Sequence, residues 1–214
     1  MAGVLGHLLS VVSPPLCWSC RAPARPSDPL CRDCRAGLCR LGPEPVMLAG
    51  VETWAPLAYE GGARALVRGL KYRSAVALAG PMAAQVAANA PPGLLRAGDT
   101  LVPVPLHPAR MRRRGFNQAE RLASALAVRA GLAASDCLQR HGAATRQVGR
   151  DRAERLEGAA GAVSLRAGRP VPGRVVLVDD VATTGATLAA CAAVLRGAGT
   201  RRLVAVAFAR TPGR

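Results

Sequence analysis

The sequence predicts an α/β protein: a mostly parallel, twisted sheet with helices on both faces, preceded by a small cysteine-rich module. Three observations carry this. Val175-Val176-Leu177-Val178 is an apolar, mostly β-branched run of the kind buried on both faces of a parallel sheet. Asp179, Asp180 and a Thr-Gly loop follow it, and then an Ala-rich helical run from Leu188 to Arg196. Strand, loop and helix follow one another again from Leu101 to Arg129 and from Val51 to Leu70.

A chain of 214 residues suits one α/β domain with a small addition, and we divide it into residues 1–45 and 46–214. Half of the residues are hydrophobic but only 3% are aromatic, so Ala, Val and Leu must build the core. The formal net charge is +16, almost all of it from Arg, with Lys71 as the lone Lys. An Arg, Ala and Gly excess also follows from genomic base composition, so the charge is a discounted sign of nucleic-acid binding. It still implies a field that attracts phosphates, nucleotides or DNA.

From the N-terminus, Leu5, Leu8, Leu9 and Val12 fall at helical spacing, and residues 1–12 read as a short helix packed on the body or on a partner. No cation precedes this apolar stretch, which argues against a secretory signal, and no run is long enough to span a bilayer. A cytoplasmic protein is expected.

Cys17-Trp18-Ser19-Cys20 and Cys31-Arg32-Asp33-Cys34 form a C-x2-C-x10-C-x2-C pattern. Each pair makes a knuckle that presents two thiolates to one ion, and four thiolates close a tetrahedral Zn2+ shell. The intervening segment carries Pro23, Pro26 and Pro29 and little to bury, so metal would supply its folding energy. A disulfide pair is the alternative. A closed shell has no open position, so its role is structural. Arg21, Arg25, Arg32, Arg35 and Arg40 would form a basic rim around it. Cys39 is a spare thiol, and Cys137 and Cys191 read as small core residues.

Val51 to Tyr59 reads as a strand, Glu60-Gly61-Gly62 as a turn, and Ala63 to Leu70 as a short helix closed by Lys71-Tyr72-Arg73. Ala75 to Ala90 is a second helix, ended by Pro91-Pro92-Gly93. Lys71 is a compact, mobile point charge suited to a pyrophosphate oxygen, or a surface Lys without a role. Leu101 to His107 is a strand ending in a Pro-restricted turn. Arg110, Arg112, Arg113 and Arg114 follow, then Gly115-Phe116-Asn117-Gln118 and a helix from Ala119 to Arg129. Asn117 is placed to cap that helix. His107 is a turn residue with a lesser claim to be a general base. Cys137 to Arg140 is a brief strand, residues 145–155 form a polar, charged loop or a solvated helix, and Leu203 to Phe208 closes the sheet.

The loop after Asp180 is a phosphate site by construction. A loop between a strand end and a helix start gathers free backbone N–H groups at the positive helix end. Thr183, Thr184 and Thr187 add hydroxyl donors. Gly185 lets the backbone approach an anion, and Ala186 is counted with these residues as a substrate-binding candidate. Asp179 and Asp180, acceptors when ionised, suit ribose hydroxyls or a metal-bound water. Together they describe a pentose 5-phosphate binder. No P-loop Gly-Lys pair and no G-x-G-x-x-G is present.

This loop resembles the phosphoribosyl pyrophosphate (PRPP) motif of type I phosphoribosyltransferases. The cysteine knuckles, the segment Tyr59…Lys71-Tyr72-Arg73 and the string from His107 to Gln118 are also similar to the competence-associated ComF/GntX-type branch of that superfamily. The resemblance implies a phosphoribosyltransferase-type fold over 46–214 and a phosphoribosyltransferase-like protein binding Mg2+ and PRPP, or a related phosphosugar. If active, it would be a glycosyltransferase acting on an unnamed acceptor. Asp179 and Asp180 would hold the sugar hydroxyls and stabilise the cationic transition state. Residues 183–187 would take the 5-phosphate; the cationic loop with Arg110, Arg112, Arg113 and Arg114 would lie on the pyrophosphate side, with Lys71 and Asn117. Gln147 and Arg155 match the loop that closes over the reactive centre in relatives. Only Ala209 to Arg214 follow the last strand, so the base-reading segment of nucleobase-using relatives is expected, if anywhere, within residues 1 to 60. The branch's link to competence implies the alternative: a non-catalytic accessory of DNA uptake that binds single-stranded DNA or a DNA-processing partner.

Overall fold

The structure, a computed structural model, describes residues 15–25, 28–72, 75–96, 98–141 and 162–212. The expected helix over 1–12 and the loop with Gln147 and Arg155 lie outside the described residues, as does Arg73.

The chain opens with the cysteine segment and α1 (Arg32–Ala36), then β1 (Val46–Leu48), β2 (Val51–Trp54) and β3 (Leu57–Ala58). Next come α2 (Gly61–Tyr72), a 3-10 turn (Val76–Leu78) and α3 (Ala79–Asn89). β4 (Thr100–Pro103), α4 (Pro108–Arg114), α5 (Gln118–Ala130), β5 (Ala133–Ala134) and β6 (Leu138–Arg140) follow. The last elements are β7 (Val163–Leu165), β8 (Arg174–Ala182), α6 (Ala186–Gly197) and β9 (Arg202–Arg210).

The main sheet has seven strands in the order β1-β2-β9-β8-β4-β5, with β3 also paired to β9. Every pairing in it is parallel except β1 with β2. β6 and β7 form a separate antiparallel hairpin. β8 sits at the centre because its four consecutive apolar residues, Val175 to Val178, are fully buried on both faces. Val176 and Val178 join a core cluster with Leu66 and Leu70 of α2, Met82 of α3 and Leu122 of α5. Val175 and Leu177 join the cluster on the other face with Leu188, Cys191 and Leu195 of α6. The predicted mostly parallel α/β sheet is what the chain forms.

Two expected elements differ. The strand expected over 51–59 is two short strands, because Pro56 has no N–H to donate and breaks the ladder between them. The helix expected over 75–90 opens with a 3-10 turn before Pro81 enters the first turn of α3.

At the amino end of the central strands, Asp99 is 1% exposed and gathers three donors. Arg96 N lies 2.9 Å and Arg174 Nε 3.0 Å from its oxygens, and Arg202 Nη1 completes the set. Burial alone would push its carboxyl up, but these donors outweigh it and hold the group below the ordinary carboxylate value. The latch fixes β4, β8 and β9 at one end and leaves their carboxyl ends to carry loops.

Candidate functional site

All the loops at issue leave the carboxyl edge of the parallel sheet, where open α/β folds bind ligands. A pocket of about 290 Å³ lies there, between the ends of β4 and β8 and the start of α6. Its wall includes Lys71, Arg110, Arg140, Asp179, Asp180 and Thr187, together with Tyr59, Gln118 and Thr183.

Asp179 and Asp180 are adjacent on a strand, so they turn to opposite faces of the sheet. Asp180 turns toward α2 and α5. It is 2% exposed, Lys71 Nζ lies 2.6 Å from its Oδ2, and Gln118 Nε2 lies 3.5 Å from its Oδ1. Asp179 turns toward α6, is partly buried, and accepts from the backbone N–H of Asp180 at 2.8 Å. Burial first, and then the neighbouring Asp180, push its carboxyl well above the usual carboxylate range, against the pull of Lys71. The pocket therefore holds one carboxylate already neutralised by an ammonium and one that a cation or hydroxyl donor would stabilise.

Lys71 stands in the last turn of α2, near the negative helix end that suits a cation. The helix forms because Gly62, Ala63, Leu66, Val67, Gly69 and Leu70 make one buried face. Lys71 was read from sequence as a charge for a pyrophosphate oxygen or as a surface Lys without a role; in the structure it lines the pocket and pairs with Asp180.

The Thr-Gly loop shows a second difference. Gly185 is the N-cap of α6 with φ +80. A Cβ there would lie 2.7 Å from Leu48 Cβ and 2.8 Å from Leu48 O. Glycine is needed because the loop presses on the β1–β2 turn, as well as for its left-handed backbone. Thr183 is exposed and Thr187 half-buried, and both line the pocket. Thr184 Oγ1 lies 3.5 Å from Ala186 N, so it faces the helix start; neither Thr184, Gly185 nor Ala186 is on the pocket wall.

Arg114 and Asn117 stand behind the wall. Arg114 donates to Gln118 Oε1 at 2.8 Å and lies over the Tyr72 ring, 5.2 Å from its centroid. Asn117 caps α5 by accepting from Ala119 N at 3.0 Å, and its amide donates to Val104 O at 3.0 Å. It ties the β4 loop to α5. His107 caps α4, with Nδ1 accepting from Ala109 N at 3.1 Å. Its turn role thus has a physical reason in the structure.

Gln118, Tyr59 and Arg140 were not among the residues expected to touch ligand, yet all line the pocket, as does Arg110 of the cationic loop. Of the four arginines in that loop, nothing in the sequence singled out Arg110. Arg140 ends a three-residue strand in an Arg-rich chain and carries no motif.

At the amino-terminal end, Cys17, Cys20, Cys31 and Cys34 converge, with all four sulfurs within 4.8 Å of one another. Cys20 and Cys31 Sγ are 3.6 Å apart. A tetrahedron with Zn–S bonds of about 2.3 Å has S···S edges of about 3.8 Å, so the cluster fits such an ion. All four are free thiols, not disulfides. Cys17, Leu30 and Leu38 pack into the same core as Leu66 and Trp54. The module docks on α2 where that helix has no side chains. A Cβ at Gly62 would meet Leu30 Cδ1 at 3.1 Å, and one at Gly69 would meet Trp18 Cε3 at 2.8 Å. Of the basic rim, Arg35 pairs with Asp28 at 2.6 Å and Arg40 donates to Asn89 Oδ1.

These features define a class: a parallel α/β protein with an acidic pair and a Thr-Gly helix entry at its ligand edge, joined to a four-cysteine cluster. The chain is 35% identical over 100 residues to competence protein ComFC of Streptococcus pneumoniae (strain ATCC BAA-255 / R6). That match covers 47% of this chain and 43% of ComFC, so it spans less than half of the relative. It supports the resemblance of this part of the chain to ComF-type proteins. No protein-family model matches the chain. Among solved structures, orotate phosphoribosyltransferase from Aeropyrum pernix aligns over 67% of this chain and 61% of its own, with 21% identity and a TM-score of 0.36. That likeness is too loose to carry an argument. No helix among the described residues is long and apolar enough to cross a membrane.

Proposed function

We propose that the chain binds PRPP, or a closely related phosphosugar, with Mg2+ at the carboxyl edge of β8, and transfers the phosphoribosyl group when an acceptor is present. The observation that supports this most is the composition of one pocket: carboxylates for hydroxyls, threonines at a helix start for a phosphate, and arginines for further anionic charge. On this reading Asp179 faces the sugar hydroxyls, while Asp180 holds Lys71 in place. Thr183 and Thr187 donate to the 5-phosphate. An acceptor nitrogen forms a bond to the anomeric carbon as the bond to pyrophosphate breaks, and the carboxylate of Asp179 opposes the positive charge that builds on the sugar. Mg2+, held on the Asp179 side, would neutralise part of the leaving group's charge. No protein nucleophile is required. On this reading residues 1–45 hold the zinc and 46–214 the ligand.

The test is thermal unfolding with PRPP and Mg2+. Ligand is expected to raise the wild-type melting temperature and to leave Asp179→Asn unmoved. The same variant has a second signature. A carboxyl with a raised folded pKa contributes stability below its ordinary pKa of about 4, and that stability is lost as pH rises through the folded value. Asp179→Asn should therefore be more stable than wild type at neutral pH, with the advantage vanishing in acid. A variant that keeps its full PRPP shift would reject the site.

The relative's name, competence protein, and the +16 charge support a second reading, an accessory role in DNA uptake. It predicts single-stranded DNA binding that weakens steeply between low and moderate salt. No binding even at low salt would count against it.

A further inference from the structure

We propose that the cleft between Trp18 and Tyr72, where the cysteine module meets α2, takes unpaired bases of single-stranded DNA; this rests on the second reading above. The chain has two residues each of Trp, Tyr and Phe. Trp54, Phe116 and Phe208 are buried in the core, and Tyr59 is half-buried on the wall of the pocket at the end of β8. The remaining rings, Trp18 and Tyr72, line one cleft of about 320 Å³ together with Ser19, Ala65, Arg68 and Gly69.

Both rings are held in place. Trp18 lies inside the first cysteine knuckle, between Cys17 and Cys20, and its backbone N–H donates to Pro29 O at 3.0 Å. Its six-membered ring rests on the bare backbone of α2, where a Cβ at Gly69 would lie 2.8 Å from Cε3. Tyr72 follows Gly69 by three positions and Ala65 precedes it by four, so all three share one face of the helix. Ala65 and Gly69 are small and keep the floor of the cleft open between the rings. Tyr72 is 63% exposed, and Arg114 lies over its ring, 5.2 Å from the centroid, and ties it to the body through Gln118.

A large ring left in water gains when a second flat, apolar face covers it, and every base offers such a face. Few groups in the cleft could read a base edge: Ser19, Arg68 and the Tyr72 hydroxyl. The cleft therefore suits stacking without base selection. Stacking of one base is too weak to hold a free nucleotide, so the occupant must also gain from its backbone. The surroundings supply that attraction. α2 carries Arg64, Arg68 and Lys71 and no carboxylate, and Arg64 and Arg68 lie about one turn apart on its exposed side. Arg21 is exposed just after the first knuckle. Arg21, Arg64 and Arg68 form no ion pair among the described residues, so their charge is open to phosphates spaced along a strand. A duplex keeps its bases stacked on one another and has none to offer the cleft.

The experiment is titration of the full chain at low salt with a single-stranded oligonucleotide, the same sequence as a duplex, and thymidine monophosphate. Trp54 is 2% exposed, so quenching of tryptophan emission reports on Trp18. The single strand is expected to quench that emission, and the duplex and the mononucleotide are expected to leave it unchanged. Tyr72→Leu should weaken the single strand at least about fivefold and Tyr72→Phe less than about twofold, with the melting temperature unmoved in both. Arg68→Gln should flatten the fall of log affinity with log salt by about 0.7, the share of one phosphate contact. Wild-type single-strand affinity in Tyr72→Leu overturns the cleft while the DNA reading stands. Affinity lost only together with a lowered melting temperature overturns it in favour of a structural role for the ring. A mononucleotide that quenches as strongly as the strand overturns it in favour of a small-molecule site. No single-strand binding by the wild-type chain at low salt overturns both the cleft and the DNA reading.

Discussion

Replacing Cys31 and Cys34 together by Ser is expected to unfold the cysteine module and to lower the melting temperature of the whole chain. The four sulfurs meet at one point, and little else holds the segment: α1 has five residues and no buried side chain of its own. A bound structural Zn2+ contributes on the order of 10 kcal/mol to such knuckles at neutral pH. That is comparable to the entire net stability of a typical domain, about 5–15 kcal/mol. The loss would not stay local, because Cys17, Leu30 and Leu38 belong to the same core cluster as Leu66, Val67 and Leu70 of α2. Gly62 and Gly69 would be left facing solvent where Leu30, Leu38 and Trp18 now lie. Elemental analysis of the purified chain should give one zinc per molecule, and a strong chelator should reproduce the double variant's unfolding curve. A metal-free chain that melts at the wild-type temperature would reject the structural role.

That docking also shows what a sequence can and cannot disclose. The C-x2-C spacing is chemistry written locally, so the cluster was legible. So was β8, since Val175 to Val178 has no other reason to be apolar throughout. The reason for Gly62 and Gly69 was not legible, because their neighbours Leu30, Leu38 and Trp18 come from a distant stretch of chain. The same holds for Gly185, whose partner Leu48 comes from an edge strand remote in sequence. The site divided in the same way. Asp179, Asp180, Thr183 and Thr187 belong to one local motif and line the same pocket. Arg140 and Tyr59 reach the pocket from other strands and loops, and one Arg among many has no periodicity to betray it. Pairwise commitments were the hardest to read: Lys71 looked like a free cation because Asp180 is remote in sequence.

That pair yields the other large effect. Lys71→Met is expected to destabilise the chain by about 3–5 kcal/mol, the usual cost of removing one partner from a buried ion pair. The side chain of Asp180 is 3% exposed and that of Lys71 19%, so water cannot readily replace the ammonium. Gln118 Nε2, at 3.5 Å, is a poor substitute for a contact at 2.6 Å. Asp179 would suffer as well, since Lys71 is the cation that opposes the repulsion between the two carboxyls. Adding Asp180→Asn to Lys71→Met should therefore recover much of the loss, because it removes the orphaned charge. Urea unfolding of the wild type, both single variants and the double variant closes the cycle. A coupling well above 1 kcal/mol is expected. Additive losses would mean that the two side chains do not depend on one another, and the account of Asp180 as the anchor of Lys71 would fail even if PRPP binds.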